Sequence, residues 1–328
     1  MSLAGFAFAM RFLLLRSTLL LAVACSVEAI KVTVLGGTGF VGSRVCKVLV
    51  SKGAEVTSVS RSGSCPSWAS DEEWTKEVKW VAADLLGADA GVGVVAGDCD
   101  SVVSCVGVVD LDPQVLRRGN GDANVNAFAS AKRAGVGRSV YVSVASEVAA
   151  CEENWLPFAK DAFSAYFDGK RSAEEAAADA VGGDATKFCV IKPSFIYGGE
   201  VFALKPPRVT AAYGSGVEEV LSLAPIQALA DAAPGLIKVA LRAPVSVEAV
   251  ATACASAALG ELAEGDATRR AVGVLDGTVA IKAAAGELTP TRLADGLNRG
   301  LDGLADKLAE KTEQLVAAFN EKMDKMGK

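Results

Sequence analysis

Short valine-rich runs alternate with amphipathic helical segments from Ile30 to about residue 280. The runs with the character of buried strands are IKVTVLGG, AEVTSVSRS, VKWVAAD, SVVSCVGV, SVYVSVAS and KFCVIKPSFIYG. Strands that are nearly continuously apolar and separated by helices are typical of a parallel sheet covered on both faces. The alternation therefore predicts an α/β fold with a doubly wound parallel sheet, the Rossmann architecture.

The first strand leads into a glycine-rich loop, VTVLGGTGFVGS, that opens the first helix. Gly36 permits a tight turn, Gly39 lets the backbone approach a pyrophosphate, and Gly42 lets the helix pack against the strand. The amides at the helix N-terminus then face the phosphates. The pattern predicts a dinucleotide site whose loop residues are Gly36, Thr38, Gly39, Phe40, Val41 and Gly42.

The second strand ends in Ser60 and Arg61, where selection between the two nicotinamide dinucleotides is expected. An NAD site usually has an acidic residue at this position to accept the ribose hydroxyls. A guanidinium group beside a hydroxyl instead favours the 2′-phosphate of NADP. The sequence thus predicts NADP as the cofactor, with NAD as the alternative.

The third and fourth strands supply the remaining candidates for the adenosine half of the cofactor. Asp84 and Leu85 follow the strand VKWVAA, and the Asp84 carboxylate is a candidate acceptor for the adenine amino group. Cys105 and Gly107 end the fourth strand and are expected beside the adenosine ribose. Both assignments rest on the carboxyl ends of parallel strands meeting at one edge of the sheet.

Composition excludes several classes of function. The chain has no histidine, which rules out Ser-His-Asp and Cys-His catalysis and histidine-ligated zinc or haem. Its eight cysteines are scattered without a CxxC pair, so they are interpreted as core thiols, and no metal site is predicted. A net charge of −6 argues against a nucleic-acid partner, because phosphate binding needs a basic surface.

Residues 1–29 have the character of a targeting segment. Arg11 and Arg16 flank the start of an apolar stretch that ends at Ala24, and small residues precede Ile30. An organellar presequence, for plastid or mitochondrion, is the predicted interpretation, and a secretory signal peptide is the alternative. The segment is excluded from the predicted fold.

The predicted nucleotide-binding domain covers residues 30–288. Residues 200–245 are rich in Pro, Gly and Ala with few strand signals, and they are predicted to form a small substrate-side lobe. A helix at Ser246–Leu259 and a short strand at Ala271–Val279 are expected to close the domain.

Residues 289–328 are predicted to form a C-terminal amphipathic helix with an 11-residue repeat. Eleven residues make three helical turns, so equivalent positions form a nearly straight stripe. The apolar residues of the stripe are Leu293, Leu297, Leu304, Leu308, Leu315, Phe319 and Met326. Such a helix packs on protein or lies on a lipid surface, and the contact assigned to residues 293–326 leaves both open.

The chain resembles the short-chain dehydrogenase/reductase superfamily, in particular its extended and atypical members, over about residues 30–280. The motifs that carry the resemblance are, in chain order, GGTGFVG, SRSG, the Asp-Leu pair after strand three, SCVG, the helix start at Asn120-Gly121, VYVSVAS, YFDGK and KPSFIYGG. The chain is similar to plant chloroplast NAD(P)-binding proteins, to a mitochondrial relative tied to ubiquinone biosynthesis and to the nucleotide-binding accessory subunit of respiratory complex I.

The resemblance implies a catalytic pair in the motif YFDGK. Tyr166 and Lys170, at positions i and i+4, share one face of a helix. In active family members the lysine holds the nicotinamide ribose and lowers the pKa of the tyrosine. The tyrosine then gives or takes a proton as hydride moves to or from the cofactor. Gly169 departs from a good helical sequence, because glycine lowers helix propensity.

Three further positions acquire roles from the same resemblance. Ser143 matches the hydroxyl that orients the substrate, with Ser146 as its substitute. Asn120 corresponds to the residue that supports a proton relay, and Pro193 to the position flanking the nicotinamide. The strand VSVAS departs from the paired serines of many active enzymes.

Two functions follow from these residues. The first is an NADP-dependent oxidoreductase or isomerase acting on a small lipophilic organellar substrate, such as a prenylquinone precursor. The second is a catalytically silent, cofactor-bound subunit or scaffold of an organellar membrane complex, which needs only the glycine loop and Arg61.

Overall fold

The computed structural model describes residues 28–87, 93–151, 160–199, 203–204, 207–233, 235–262 and 273–287. The strands are β1 (Lys31–Leu35), β2 (Glu55–Ser60), β3 (Val78–Ala82), β4 (Ser101–Ser104), β5 (Arg138–Val142), β6 (Phe188–Lys192), β7 (Ile196–Tyr197), β8 (Ala203–Leu204), β9 (Pro207–Arg208), β10 (Val245–Ser246) and β11 (Val274–Asp276). Seven of them form a parallel sheet in the order β11-β6-β5-β4-β1-β2-β3. The short strands pair separately, β7 with β10 and β8 with β9.

Helices cover both faces of the sheet. They are α1 (Phe40–Ser51), α2 (Pro113–Arg117), α3 (Ala123–Ala134), α4 (Ser146–Ala149), α5 (Lys160–Asp179), α6 (Ala211–Leu221), α7 (Ala224–Ala232), α8 (Gly235–Ala240), α9 (Val247–Leu259) and α10 (Gly277–Ala284). Side chains of α1, α9 and α10 belong to one buried cluster, and side chains of α3 and α5 to a second. The predicted doubly wound α/β fold is confirmed.

Each central strand contributes side chains to both clusters, because successive side chains point to opposite faces of a sheet. In β4, Val102 packs in the cluster with α3 and α5, whereas Val103 packs in the cluster with α1 and α9. Both side chains are fully buried. This two-sided burial explains why the strands are apolar almost continuously rather than in alternation.

The strand order reverses at β1, which lies between β2 and β4. In an open parallel sheet, ligands bind in the crevice outside the carboxyl ends of the strands at this switch point. The chain leaves β1 at Gly36 and leaves β4 at Cys105. A methyl group on Gly36 would lie 3.3 Å from the Cys105 carbonyl. The glycine loop and the loop after β4 therefore border the same crevice.

The sequence KFCVIKPSFIYG does not form one strand. It divides at Pro193 into β6, in the main sheet, and β7, which pairs with β10. Proline has no N–H for a strand ladder, and the Pro193 carbonyl accepts a hydrogen bond from Ala145 N at 2.9 Å. The chain turns away from the sheet at this point.

The stretch predicted as a substrate-side lobe contains three helices, α6 to α8, which the sequence pattern did not show. Gly214 and Gly216 lie inside α6, and glycine weakens any helical signal. The predicted helix at Ser246–Leu259 is confirmed as α9. Its cap is the Ser246 hydroxyl, which accepts from Ala249 N at 3.1 Å. The strand β11 lies within the predicted Ala271–Val279.

Both predicted terminal segments fall almost entirely outside the described residues; of the first, only Glu28 and Ala29 are included. No helix in the described part of the chain has the length and apolar character needed to cross a membrane. Seven cysteines lie in the described ranges, and none of these seven forms a disulfide. Five are buried and two half-buried, in agreement with their interpretation as core thiols.

Gly169 allows a close backbone contact rather than a flexible point in α5. The segment Arg118–Asp122 forms a π-type turn between α2 and α3, so Asn120 lies within this turn and not at a helix start. A methyl group on Gly169 would lie 2.9 Å from Gly121 N, and one on Gly121 would lie 3.0 Å from Gly169 Cα. A methyl group at either position would require the neighbouring backbone to shift, and α5 therefore packs directly on the turn.

We expect Gly169→Ala to lower the free energy of unfolding by about 1 to 2 kcal/mol, because the cost of overpacking exceeds the gain in helix propensity. The matched control is Gly216→Ala in α6, where a methyl group meets no atom within 4 Å. That control should be neutral or stabilising by up to about 1 kcal/mol. Urea denaturation of both variants measures the difference. Equal effects of the two substitutions would contradict the packing argument.

Candidate nucleotide and catalytic site

The loop after β1 folds tightly around the first turn of α1. Gly36 has a φ of +75°, a conformation that favours glycine. Its N–H donates to the Val59 carbonyl at 2.7 Å, and its carbonyl accepts from Gly39 N at 2.9 Å. A methyl group on Gly42 would overlap the Gly36 carbonyl oxygen. The structure thus gives Gly36 and Gly42 the turn and packing functions predicted for them.

The N-terminus of α1 is suited to an anion. Among the described residues, no side chain caps this helix, and its first turn contains no acidic residue. By contrast, α9 is capped by Ser246. The first amides of a helix have no intrahelical acceptor and carry partial positive charge. Thr38 is half-buried and Gly39 exposed, so the loop is accessible. These residues fit the pyrophosphate of a dinucleotide.

The end of β2 presents Arg61 to solvent. The Ser60 hydroxyl accepts a hydrogen bond from Gly63 N at 3.1 Å and thereby closes the turn after the strand. The Arg61 side chain is exposed, and the described residues provide it with no hydrogen bond or ion pair. Its guanidinium group is therefore available to a ligand at this position.

The two candidates after β3 differ in accessibility. Asp84 is exposed, and one of its carboxylate oxygens accepts from Leu86 N at 3.0 Å. Leu85 is buried among the residues of the second core cluster, with 8% of its surface exposed. Its carbonyl accepts from the Asn126 side-chain amide at 2.8 Å. The Leu85 side chain therefore serves the core, and Asp84 is the accessible polar group of the pair.

The loop after β4, the π-type turn and α5 meet at Gly107. A methyl group on Gly107 would lie 3.1 Å from Asn120 Oδ1 and 3.5 Å from Lys170 Nζ. Three sequence-predicted residues from distant segments are thereby brought together. Cys105 is half-buried at the base of the same loop, and its N–H donates to the Leu35 carbonyl at 2.9 Å.

Asn120 anchors this loop. Its side-chain amide is fully buried and donates to the carbonyls of Val108 and Leu116, both at 3.0 Å. Its Oδ1 accepts from Val108 N at 3.2 Å. Both N–H groups are used in holding the backbone, so the structure gives Asn120 a positioning function. The relay function predicted for it would require one of these bonds to break.

Lys170 is buried beneath the loop, with 6% of its surface exposed. Its Nζ donates to the Val142 carbonyl at 3.1 Å and lies 5.0 Å from the centroid of the Tyr141 ring. Burial lowers the pKa of this amine to about 8, against an opposing effect of the Glu174 carboxylate. A lysine that titrates near neutral pH and faces a crevice is typical of a functional site.

Tyr166 lies one helical turn before Lys170 on α5 and is half-buried. The centroid of its ring is 5.8 Å from Lys170 Nζ, and its edge packs on Phe167 at 5.3 Å between centroids. Burial raises the pKa of the Tyr166 hydroxyl to about 12. The implied lowering of this pKa by the lysine is therefore not seen in this arrangement.

Two residues that sequence reasoning missed hold Ser143 in place. The Ser143 hydroxyl is hydrogen-bonded to the Glu174 carboxylate, and the same carboxylate forms an ion pair with Lys192 Nζ at 2.8 Å. Lys192 also reaches the Ser146 hydroxyl at 3.4 Å. Glu174 follows Lys170 by four residues, so extending the spacing of Tyr166 and Lys170 by one more turn would have found it.

Comparison with known proteins settles the family. The sequence model of the family described as "NAD dependent epimerase/dehydratase family" matches residues 32–229, which is more than half of the chain. The chain belongs to this family. The resemblance to extended short-chain dehydrogenases/reductases is thereby confirmed at family level, while the likenesses to a complex I subunit and a ubiquinone-related protein stay predictions.

Curated relatives match only part of this family member. An uncharacterised chloroplastic protein of Arabidopsis thaliana, At1g32220, is 38% identical over 185 residues, which are 54% of each chain. MIOREX complex component 2 of Saccharomyces cerevisiae is 45% identical over 62 residues, 18% of this chain and 22% of that protein. The chain therefore spans about half the length of the first relative and about a fifth of the second.

Two solved structures are similar to the chain at low sequence identity. UDP-glucuronic acid 4-epimerase from Bacillus cereus, in complex with NAD, is 16% identical with a TM-score of 0.49, covering 75% of this chain and 78% of that one. The enzyme WbmH of Bordetella bronchiseptica, in complex with NAD+, is 17% identical with a TM-score of 0.46, covering 71% and 73%. The assignment to the family rests on the sequence match.

A cavity of about 850 Å³ opens beside the ends of β5, β6 and β11. Ala145, two residues after Ser143, and Ser194, directly after Pro193, form part of its wall. The charged residues of its lining are Glu147, Glu218, Glu219, Arg242, Asp276, Lys282 and Glu287. Carboxylates thus outnumber cations in the cavity of this family member.

Both cations of the cavity are already paired. Arg242 forms ion pairs with Glu147 and Asp231. Lys282 forms an ion pair with Glu218, and the Tyr197 hydroxyl is hydrogen-bonded to the same carboxylate at 2.6 Å. Neither cation is left for a phosphate, and the cavity as a whole does not favour an anion.

The buried amine of Lys170 should make stability depend on pH. Its pKa in the folded protein is about 8, against an ordinary value of 10.5, so its charge destabilises the folded state below pH 8. That cost disappears as pH rises from about 8 to 10.5. Relative to Lys170→Met, the wild type should gain up to roughly 3 kcal/mol of unfolding free energy over this range.

Chemical denaturation at several pH values measures this gain. Lys79→Met, which removes an exposed lysine from β3, is the matched control for the loss of one positive charge. A stability difference between wild type and Lys170→Met that stays constant from pH 7.5 to 10.5 would refute the assignment of a buried charged amine.

Proposed function

We propose that the protein is an NADP(H)-dependent oxidoreductase or isomerase of the short-chain dehydrogenase/reductase type, acting on a small lipophilic substrate in an organelle. The observation that carries the proposal is the meeting of Gly107 and Lys170 at the switch point of the sheet. It puts the candidate ribose-binding amine beside the crevice entered by the glycine loop. Ser143 directly follows Val142, whose carbonyl accepts from the same amine.

The preference for NADP rests on Arg61. Its accessible guanidinium group lies at the position where a carboxylate would repel a 2′-phosphate. The family as a whole is described as NAD dependent, so the preference is specific to this chain. Backbone amides of α1 would hold the pyrophosphate in either case.

The remaining residues divide the chemistry. A bound nicotinamide dinucleotide supplies or accepts the hydride. Lys170 would hold the ribose of the bound dinucleotide, and the Tyr166 hydroxyl would exchange a proton with the substrate oxygen. Ser143 orients that oxygen, while the carboxylate of Glu174 fixes the direction of the Ser143 hydroxyl.

The cavity is lined by Ala145 and Ser194 but not by Ser143, Tyr166 or Lys170. As the space next to these residues, it supports a substrate without phosphate groups. Its two cations are neutralised by ion pairs, so neither guanidinium nor ammonium group of the lining is left to bind a nucleoside diphosphate. Between its charged residues the wall includes Val148, Leu223, Ala243 and Val279, which favours apolar parts of a ligand. A lipophilic carbonyl or quinone compound fits this lining better than a nucleotide sugar.

Arg61→Gln should weaken NADPH binding about tenfold, because it removes a charge-assisted contact to the 2′-phosphate. NADH, which lacks that phosphate, should bind equally to both proteins. Titration calorimetry with each dinucleotide measures the four affinities. A wild type that binds neither cofactor would remove the basis of the proposal. If Arg61→Gln lowered the affinity for NADPH and for NADH equally, Arg61 would not select between the two cofactors.

Tyr166→Phe should strongly slow turnover and leave cofactor binding intact. Loss of a general acid is expected to slow NADPH oxidation by about 10²–10⁴-fold. The assay follows NADPH absorbance with a panel of quinone and prenylated quinone precursors. The NADPH affinity of the variant, measured separately, is the control for folding. Undiminished turnover in Tyr166→Phe would exclude this residue as the proton donor.

The same assay tests a second function, a cofactor-bound subunit without turnover. The raised pKa of Tyr166 favours it, and the name of the yeast relative describes a component of a complex. Tight NADPH binding with no oxidation by any compound of the panel supports this alternative.

The proposed location is an organelle, supported by the chloroplastic relative in Arabidopsis and the targeting character of residues 1–29. A fusion of residues 1–35 to a fluorescent reporter distinguishes plastid, mitochondrion and secretory route. Contact of residues 293–326 with a lipid surface is part of the proposal. Liposome flotation with and without residues 289–328 tests it, and equal flotation would contradict it.

A further inference from the structure

Two guanidinium groups lie against one aromatic ring at the start of α1. Arg208, the last residue of β9, has its Cζ 4.7 Å from the centroid of the Phe40 ring. Arg44, one turn into α1, has its Cζ 5.0 Å from the same centroid. Phe40 is the first residue of the helix whose amides face the candidate pyrophosphate site. Two positive groups from separate segments of the chain therefore meet at the first residue of that helix.

The two arginines differ in the hydrogen-bond partners of their guanidinium groups. Arg44 donates to the Phe40 carbonyl at 3.1 Å and stacks on the Trp68 ring at 4.3 Å. The Nε of Arg208 is buried and has no hydrogen-bond partner, and no ion pair of Arg208 is found within the described ranges. A desolvated donor on a cationic group is unfavourable when it is left unpaired. Arg208 thus has an unmet requirement for an acceptor.

A hydrogen bond between the residues that follow β7 and β9 holds Arg208 in this position. Gly198 N donates to the Val209 carbonyl at 3.0 Å, which fixes the residue after β9 beside the turn that follows β7. In that turn, a methyl group on Gly199 would lie 3.3 Å from the Phe40 ring and 3.6 Å from the Arg44 guanidinium group. Gly199 and Arg208 therefore both lie close to the Phe40 ring at the start of α1.

We propose that Arg208 is a ligand of the cofactor pyrophosphate and links residues 207–209, in the substrate-side lobe, to the bound dinucleotide. The inference rests on the proposed cofactor function. A guanidinium group offers a planar pair of donors that matches phosphate oxygens. The pyrophosphate is the fitting acceptor because Phe40 opens α1, whereas Arg61, at the end of β2, is assigned to the 2′-phosphate. Cofactor binding then fixes the segment that continues into α6 and the cavity wall.

Titration calorimetry of wild type, Arg208→Leu and Arg208→Lys with NADP+ and with NAD+ tests the assignment. We expect Arg208→Leu to weaken both cofactors by about 10- to 100-fold, the usual effect of losing a charged hydrogen bond. Arg208→Lys keeps the positive charge but lacks the planar pair of donors. Its affinity for each cofactor should lie between those of the wild type and Arg208→Leu. Lys238→Leu, which removes a positive charge from α8 in the same part of the chain, should bind like the wild type.

Hydrogen exchange at the Gly198 amide provides a second readout. NADP+ should slow this exchange in the wild type and leave it unchanged in Arg208→Leu. Circular dichroism of each variant verifies folding, and Arg208→Lys replaces Arg208→Leu if the latter does not fold.

Unchanged affinity of a folded Arg208 variant for both cofactors would overturn the inference. A loss confined to NADP+ would overturn it too, because Arg208 would then contact the 2′-phosphate. If the wild type binds neither cofactor, the proposed function fails, and this outcome is distinct from failure of the Arg208 assignment alone.

Discussion

The closeness of α1 to the end of β1 is the constraint on which the site depends. The Gly36 carbonyl has room only for hydrogen on residue 42, so the helix begins directly above the strand. This places its uncapped N-terminus over the crevice between β1 and β4. The proposed binding of a phosphate group at this position would need no charged side chain from the loop, because oriented amides would provide the electrostatic field.

The sheet could be predicted from sequence because burial on both faces makes each strand an almost continuous run of apolar residues. Val102 and Val103 face opposite clusters, yet both must be apolar. Other features depend on contacts between distant segments and have no such pattern in the local sequence. The strand containing Pro193 divides because its continuation pairs with β10, and α6 forms despite Gly214 and Gly216. Tertiary packing overrode local propensity there.

The candidate site was predictable to the extent that it follows motifs. Lys170 donates to the carbonyl of Val142, the residue before Ser143, and its Nζ lies 5.8 Å from the centroid of the Tyr166 ring. The motif therefore singled out residues that are neighbours in the structure, and their catalytic functions stay predictions. Glu174 carried a usable signal, its four-residue spacing from Lys170. Arg208 carried none, since a lone arginine after Pro207 acquires meaning only when β9 lies over Phe40. Leu85 shows what adjacency in sequence does not predict: its side chain is buried in the second core cluster, whereas that of Asp84 is exposed.

The contact between Gly169 and Gly121 has a consequence for how mutational data on this chain should be interpreted. The spacing between helix α5 and the turn that carries Asn120 is set by two hydrogen atoms, and Lys170 is the next residue along the helix. A side chain at 169 would force the helix and the turn to shift apart, and the neighbouring amine of Lys170 would shift with the helix. A saturation screen for activity would then score this glycine like a reacting group, although it contributes no functional atom of its own.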